Sequence, residues 1–471
     1  MKSFEMFTMN YLVALVRGIA KTVIPNLFRD LQDYEMLKQV QHDAVELRGI
    51  YPKRLKTGLI LLFLVVLICF FAGCKKQDNR AVLKFSSWGS ESEIKVINPV
   101  LKEFEKQNPD IKLEFIHIPK DYFQKLHLLV ASNLAPDVIF INNINEPIYA
   151  ENNKLMDLTD FLKKDGTISK KDFFPQSLQA FTYKGALYAI PRDISNLVVY
   201  YNQEIFDRAN LPYPSDNWTF NDFLETAKKL TLHSKNPDKK RFGVGFEDQP
   251  LFWTPFLWSN GGGVISHDLK NVLINKPQSL EAIQFYADLR NKYHVAPTLS
   301  EAGSATMTQL FMQGKIAMQI NGRWSVPRYR KDLTFKWNII KFPSGKAGSI
   351  VDADASGWSI SKDCKNPEKA WRLVRFLAGK KAISEFTKDG LIVPARIDVA
   401  NSDIFLNKSQ PPKNSVLFIK IIPQSMPTPA NQNYQEIIDT INTALEPVWN
   451  GDKTTNQAIT PDVVKKIKEL L

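Results

Sequence analysis

The sequence predicts an α/β fold built on a mainly parallel sheet with helices on both faces. Three observations carry that prediction. Stretches of strand character alternate with stretches of helical spacing from Ala81 onward, the short apolar run "DVIFIN" ends in polar residues, and 398 residues follow Gly73, enough for two separate cores. A hydrophobic content of 44% and a charged content of 23% are those of a globular chain.

The elements follow in order. "AVLKFSSW" reads as a strand, and Ser90 with Glu93 forms a capping box ahead of Ile94, Ile97, Leu101 and Phe104 at helical spacing. "IKLEFIHI" alternates as a strand, residues 121–133 read as a helix, and "DVIFIN" is the third strand. Ligands in such sheets lie outside the carboxyl ends of the strands, which singles out Trp88 after the first and Asn142 and Asn143 after the third. "YKGALYAIPRD" is hairpin-like and leads into "NLVVYYNQEIF", a strand that crosses into a second lobe. Helices are predicted at 220–232, 277–292 and 305–313, with "KIAMQING" as strand and turn. A return crossing at "VDADASGWSIS" precedes an amphipathic helix at 367–377, and the tail from Asn431 is helical again. No internal repeat stands out.

The N-terminal part is excluded from the fold. Leu59 to Phe71 is unbroken apolar sequence, preceded by Lys53, Arg54 and Lys56 and followed by Ala72, Gly73 and Cys74. A basic flank, a short apolar run and small residues at its trailing edge are the pattern of a signal sequence at 53–73. The run is short for a hydrocarbon core of roughly 30 Å; a permanent membrane anchor is the competing reading. Residues 1–52 lie ahead of a segment that belongs at a start. They are read as an extension upstream of the true start, resembling a translated repeat element. Residues 74–80 form a polar tether.

The net charge of +12 falls to +9 without the first 73 residues. It is scattered over positions such as Lys102, Lys106 and Lys228, so the chain is not read as binding nucleic acid. Of three cysteines, only Cys364 remains beyond Cys74, and no disulfide is expected within the mature chain. Cys364 has no nearby base in sequence and reads as an unreactive thiol. No Gly-x-Ser-x-Gly, His-Glu-x-x-His or Cys-x-x-Cys pattern is present, so neither a catalytic site, a metal nor a cofactor is expected. Gly261 to Gly263 are not followed by the Lys-Ser or Lys-Thr of a phosphate loop and read as a turn.

The ordered segments "LKFSSWGSESE", "APDVIFINN", "YKGALYAIPRDISNLVVYYNQEIF", "WTFNDFLETAKKLT", "LWSNGGGVI", "FMQGKIAMQINGRW" and "GWSISKDCKNPEKAWRLVRFLAG" resemble the carbohydrate-binding branch of extracellular solute-binding proteins of ABC importers, the maltose-binding-protein type. The likeness covers nearly all of residues 80–450. It implies the two-lobe periplasmic-binding-protein fold (type II, venus-flytrap), with lobes joined by crossing segments: one of 80–194 plus 355–408, the other of 195–354 plus 409–471. Phe71-Ala72-Gly73-Cys74 resembles a lipobox, implying lipid on Cys74 and an extracytoplasmic protein tethered beside ABC permease subunits, expected as a monomer. The ligand implied is a carbohydrate.

Sugars need flat aromatic platforms for their faces and polar groups for their hydroxyl rim. Trp324 in "NGRW" matches the family's stacking position, and the turn Asn321-Gly322 favours that role over core packing. Asp193 in "IPRD" matches a carboxylate that accepts sugar hydroxyls, with a turn or cap aspartate as the alternative. Trp253 and Trp258 are five apart, so one faces the cleft while the other packs, and Trp253 is preferred for the cleft. Asp354 and Trp358 sit in the return crossing as cleft lining. Arg323, with Arg192, suits an acidic or phosphorylated sugar, against surface ion pairing as the competing reading. Gln249 and Leu251 stand where maltose-binding protein places a carboxylate and an aromatic, so maltose itself is not expected. Two other functions compete. A carbohydrate-active enzyme would use Asp193, Asp352 and Asp354, and an accessory of a sensor kinase would share the same cleft.

Overall fold

Two sheets organise the chain, and the peptides running between them bring the polar residues of interest together. The structure is a computed structural model that describes residues 80–471 apart from 237 and 238; the N-terminal extension, the apolar segment and Cys74 lie outside the described residues. In chain order the strands are β1 (Ala81–Ser87), β2 (Ile111–His117), β3 (Val138–Asn142), β4 (Thr182–Tyr183), β5 (Ala186–Leu187), β6 (Ile190–Ser195), β7 (Val198–Asn202), β8 (Phe242–Gly245), β9 (Ile316–Asn321), β10 (Trp337–Ile340) and β11 (Asp354–Ile360).

The first sheet has the order β2-β1-β3-β11-β6 and the second β10-β7-β9-β8, with β4 and β5 forming a small hairpin. β1 pairs in parallel with β2 and β3. The first sheet is mainly parallel as expected, with β11 entering against the other described strands, antiparallel to both β3 and β6. The second sheet is parallel only between β8 and β9. The cause is connectivity: β11 arrives from the second sheet and therefore enters the first from the opposite end to β1, β2 and β3.

Local sequence explains the helices that flank these strands. Glu91–Gln107 opens on the predicted capping box, with the Ser90 N–H donating to Glu93 Oε2 at 2.7 Å and the Glu93 N–H donating to Ser90 Oγ at 3.4 Å. Phe220–Leu230 uses Thr219 and Asp222 in the same way. Helix Pro367–Leu377 buries Ala370, Trp371, Leu373, Val374 and Leu377, an i, i+3, i+4 stripe. Each sheet has its own core, one including Phe85, Phe104, Phe140 and Leu373, the other Tyr200, Phe223, Phe256 and Ile320. Full burial of one such side chain stabilises by about 1.5–3 kcal/mol.

Three stretches run side by side between the sheets. Asn196 and Leu197 join β6 to β7. Asp352 lies in the stretch leading to β11 and pairs with Met426, where the Ala353 N–H donates to the Met426 carbonyl at 2.8 Å. Asn196 Nδ2 donates to the Phe418 carbonyl at 3.0 Å and ties the first stretch to helix Leu417–Lys420, which precedes the third stretch around Met426. Among the described residues, no helix is long and apolar enough to cross a membrane.

Candidate functional site

A cavity of about 440 Å³ opens between the two sheets and falls within the usual size of small-molecule sites. Its floor is made by the connecting peptides, through Ser195, Asp352, Asp354 and Thr428. One wall is the end of β3, with Asn142, Asn143 and Ile144. The opposite wall comes from helices Pro250–Ser259 and Tyr434–Trp449 and from Trp324.

Backbone periodicity selects the wall residues. Leu251, Thr254 and Trp258 are three and four apart on one helix, so they share a face. Trp253 is off that stripe. The expectation that it faces the cleft is therefore corrected: it is 0% exposed and packs towards Trp449, with 6.4 Å between ring centroids. Trp258 lines the cavity instead. Tyr434, Ile438 and Asn442 form a second stripe, four apart.

Trp324 lies just past β9, in the short turn Arg323–Ser325, and is 38% exposed at the cavity. Its indole covers Gly322 so closely that a Cβ added there would sit 1.9 Å from the ring. The Gly322 carbonyl accepts from the buried Tyr200 hydroxyl at 2.8 Å, which fixes the platform's base.

Asn143 is buried and binds β11 twice: its Nδ2 donates to Asp354 Oδ1 at 3.2 Å and its Oδ1 accepts from the Ala355 N–H at 3.0 Å. Asp354 Oδ1 also accepts from the Thr428 N–H at 3.3 Å. Asp352 is 1% exposed, and neither of its oxygens has a hydrogen-bond partner. Burial pushes both carboxyls above the ordinary carboxylate range, and the nearby Asp354 charge adds to the rise at Asp352.

Of the residues expected to hold ligand, Asn142, Asn143, Trp324 and Asp354 line this cavity, and five others lie away from it. Trp88 was expected as an exposed loop residue, but it is part-buried against Tyr122, Phe123 and Phe140, with a ring distance of 4.2 Å to the last. Asp193 is occupied by its neighbours: Arg192 Nε donates to its Oδ2 at 2.6 Å, and the Ser356 N–H to its Oδ1 at 3.3 Å. Trp358 lies four residues along β11 from Asp354, roughly 13 Å into the first core at strand rise, and packs between Phe140 and Phe386. Arg323 points away from the cavity and lies over Phe405 and Phe418, 4.1 and 5.2 Å from the ring centroids. Burial lowers its guanidinium to about 9. The expectation of an arginine-lined pocket for an acidic sugar is corrected with it, since no Lys, Arg or His is among the described residues lining the cavity.

Cys364 is part-buried and burial pushes its thiol up to about 12, which leaves it protonated at neutral pH. Among the described residues, no group of three or more His, Cys, Asp or Glu is placed to hold a metal ion.

Over residues 88–383 the sequence matches the family described as bacterial extracellular solute-binding protein. The chain belongs to that family. The bacterial extracellular solute-binding proteins similar to it include a maltodextrin-binding protein of Bacillus subtilis, 26% identical over 88% of this chain and 97% of the relative. A galactooligosaccharide-binding protein of the same organism is 24% identical over 86% of this chain and 94% of its own length. Among solved structures, an ABC substrate-binding protein of Listeria monocytogenes in complex with cycloalternan superposes with a TM-score of 0.75. It is 28% identical and covers 83% of this chain and 98% of that one. Maltose-bound MalE3 of T. maritima, 22% identical, has a TM-score of 0.70 over 83% of this chain and all of that one, which shows the shared two-lobe fold. The extracellular solute-binding family and the α/β two-lobe fold anticipated from the sequence are thus both present.

Proposed function

We propose that this solute-binding protein captures an extracytoplasmic carbohydrate between its lobes and delivers it unaltered to the permease subunits of an ABC importer. The observation that carries the reading is one cavity walled by both sheets, where Trp258, Trp324 and Tyr434 supply ring faces and Asn143, Asp352 and Asp354 supply polar partners for hydroxyls. The maltodextrin, galactooligosaccharide and cycloalternan ligands of its relatives support a saccharide. On this reading the lobes are 80–194 plus 355–408 and 195–354 plus 409–471, and ligand closes one upon the other by touching both. Lipid on Cys74 holds the monomer at the outer face of the cell membrane.

Hydrolysis is the weaker reading. Two carboxylates that act on a glycosidic bond must flank it, whereas Asp352 and Asp354 are two apart in an extended stretch and approach from one side. An accessory that presents ligand to a sensor kinase would use the same cavity. Calorimetry against neutral, basic and acidic saccharides tests the proposal. A saccharide that binds and is recovered intact supports capture, products of cleavage support the enzyme, and silence across all three classes removes the proposal. Mass spectrometry of the membrane fraction tests the lipid, which Cys74→Ser should abolish.

A further inference from the structure

The cavity floor holds two buried carboxyls to which the described lining residues bring no cationic partner. Asp352 and Asp354 both line it, and they point the same way because they are two apart in an extended stretch. Asp354 has neighbours in Asn143 and Thr428. Asp352 has none that complete a hydrogen bond; the N–H groups of Asp352 itself and of Leu197 only moderate the effect of its burial. From the facing helix, Asn442 adds a third buried oxygen, Oδ1, without a partner. The two arginines expected at the site are engaged elsewhere, Arg192 with Asp193 and Arg323 with two phenylalanine rings.

Neutral hydroxyls would give these oxygens partners but supply no opposite charge against which the two carboxyls, raised by burial, could ionise. An ammonium group supplies both, and a buried charge is tolerated when it is paired and hydrogen-bonded. We infer that the cavity is built for an amine-bearing saccharide, its ammonium held at Asp352 and Asp354 and its ring against Trp258 or Trp324. This inference rests on the carbohydrate reading of the same cavity and narrows it to basic sugars. The aromatic walls are compatible with a cation, since indole faces attract one. Tyr434 remains a neutral phenol, kept so by burial and then by the Asp354 charge.

The test is calorimetry of the protein at about pH 6, where a sugar amine is protonated. Three probe series of matched length are compared: glucosamine oligosaccharides, the same compounds N-acetylated, and maltooligosaccharides. The amine series should bind roughly tenfold or more tightly than either neutral series, the difference expected for one charge-assisted contact. Asp352→Asn should erase that preference, with its circular dichroism melt checked beside the wild type. If the variant does not fold, the wild-type ratio of amine to N-acetyl binding decides alone. Neutral sugars that bind as tightly as the amine series overturn this inference and leave carbohydrate capture standing, as does a folded Asp352→Asn that keeps the preference. If none of the three series binds, both fall.

Discussion

The Trp324 indole lies on Gly322, and the space a Cβ would need there is taken by the ring itself. Gly322 is held in turn by the Tyr200 hydroxyl, so the backbone beneath the ring cannot easily yield. A glycine that binds nothing thereby sets the plane of the platform.

Gly322→Ala should tilt Trp324 out of position without disturbing the core. The expected result is saccharide affinity weakened by about 1 kcal/mol, roughly fivefold, with little change in melting temperature. Trp324→Ala should lose at least as much. Calorimetry and a thermal melt on each variant check it; equal losses of binding and stability would make Trp324 a core residue.

The two helix tryptophans should separate in ligand binding. Trp253→Ala removes a fully buried ring and should cost about 3–5 kcal/mol of stability in denaturant titration. Trp258→Ala should cost stability too, since the residue is only 4% exposed, but it should also weaken ligand binding, because Trp258 lines the cavity.

Asn143 joins β3 to β11 at the cavity wall. Asn143→Ala strands the Ala355 N–H and removes a donor from Asp354. A loss of about 1–3 kcal/mol in stability is expected, together with weaker ligand binding as Asp354 loses its orientation.

Glu146 provides a pH test independent of the ligand. It is 1% exposed, its Oε1 has no partner, and burial raises its carboxyl to about 8 from 4.5. Folded protein therefore keeps a proton that the unfolded chain releases. This contribution is complete below about pH 4.5 and drains away as pH rises towards 8, by at most about 1.4 kcal/mol per pH unit. Glu146→Gln should flatten that part of the stability profile, measured by denaturant melts from acid to mild alkali. A wild-type slope that the substitution leaves unchanged would assign the drift to other groups.

Much of the chain was legible from spacing. The capping box at Ser90 and the helices at Phe220–Leu230 and Pro367–Leu377 follow from local pattern, because each is settled within a few residues. The direction of β11 was not legible, since an extended segment reads the same whichever way it enters a sheet. "LFWTPFLWSN" misled for a related reason: a helix apolar on every side gives no hint of which tryptophan faces a cavity. The stripe of Tyr434, Ile438 and Asn442 was visible as a four-residue spacing and was overlooked as ordinary tail helix. Asp193 and Arg323 carried suitable chemistry, but only the folded chain reveals that Arg192 and the Phe405 and Phe418 rings already engage them.

Asp352 and Asp354 belong to the very peptide that links the two sheets. If the lobes close as proposed, substitutions there would alter both how firmly a guest is gripped and how readily the lobes shut, so a single affinity mixes the two and only a ratio between ligands separates them. Anyone refashioning this scaffold as a sensor for a different analyte should leave that span untouched and diversify Leu251, Trp258 and Gln435, whose positions on the flanking helices allow selectivity to be retuned while the mechanical linkage stays as it is.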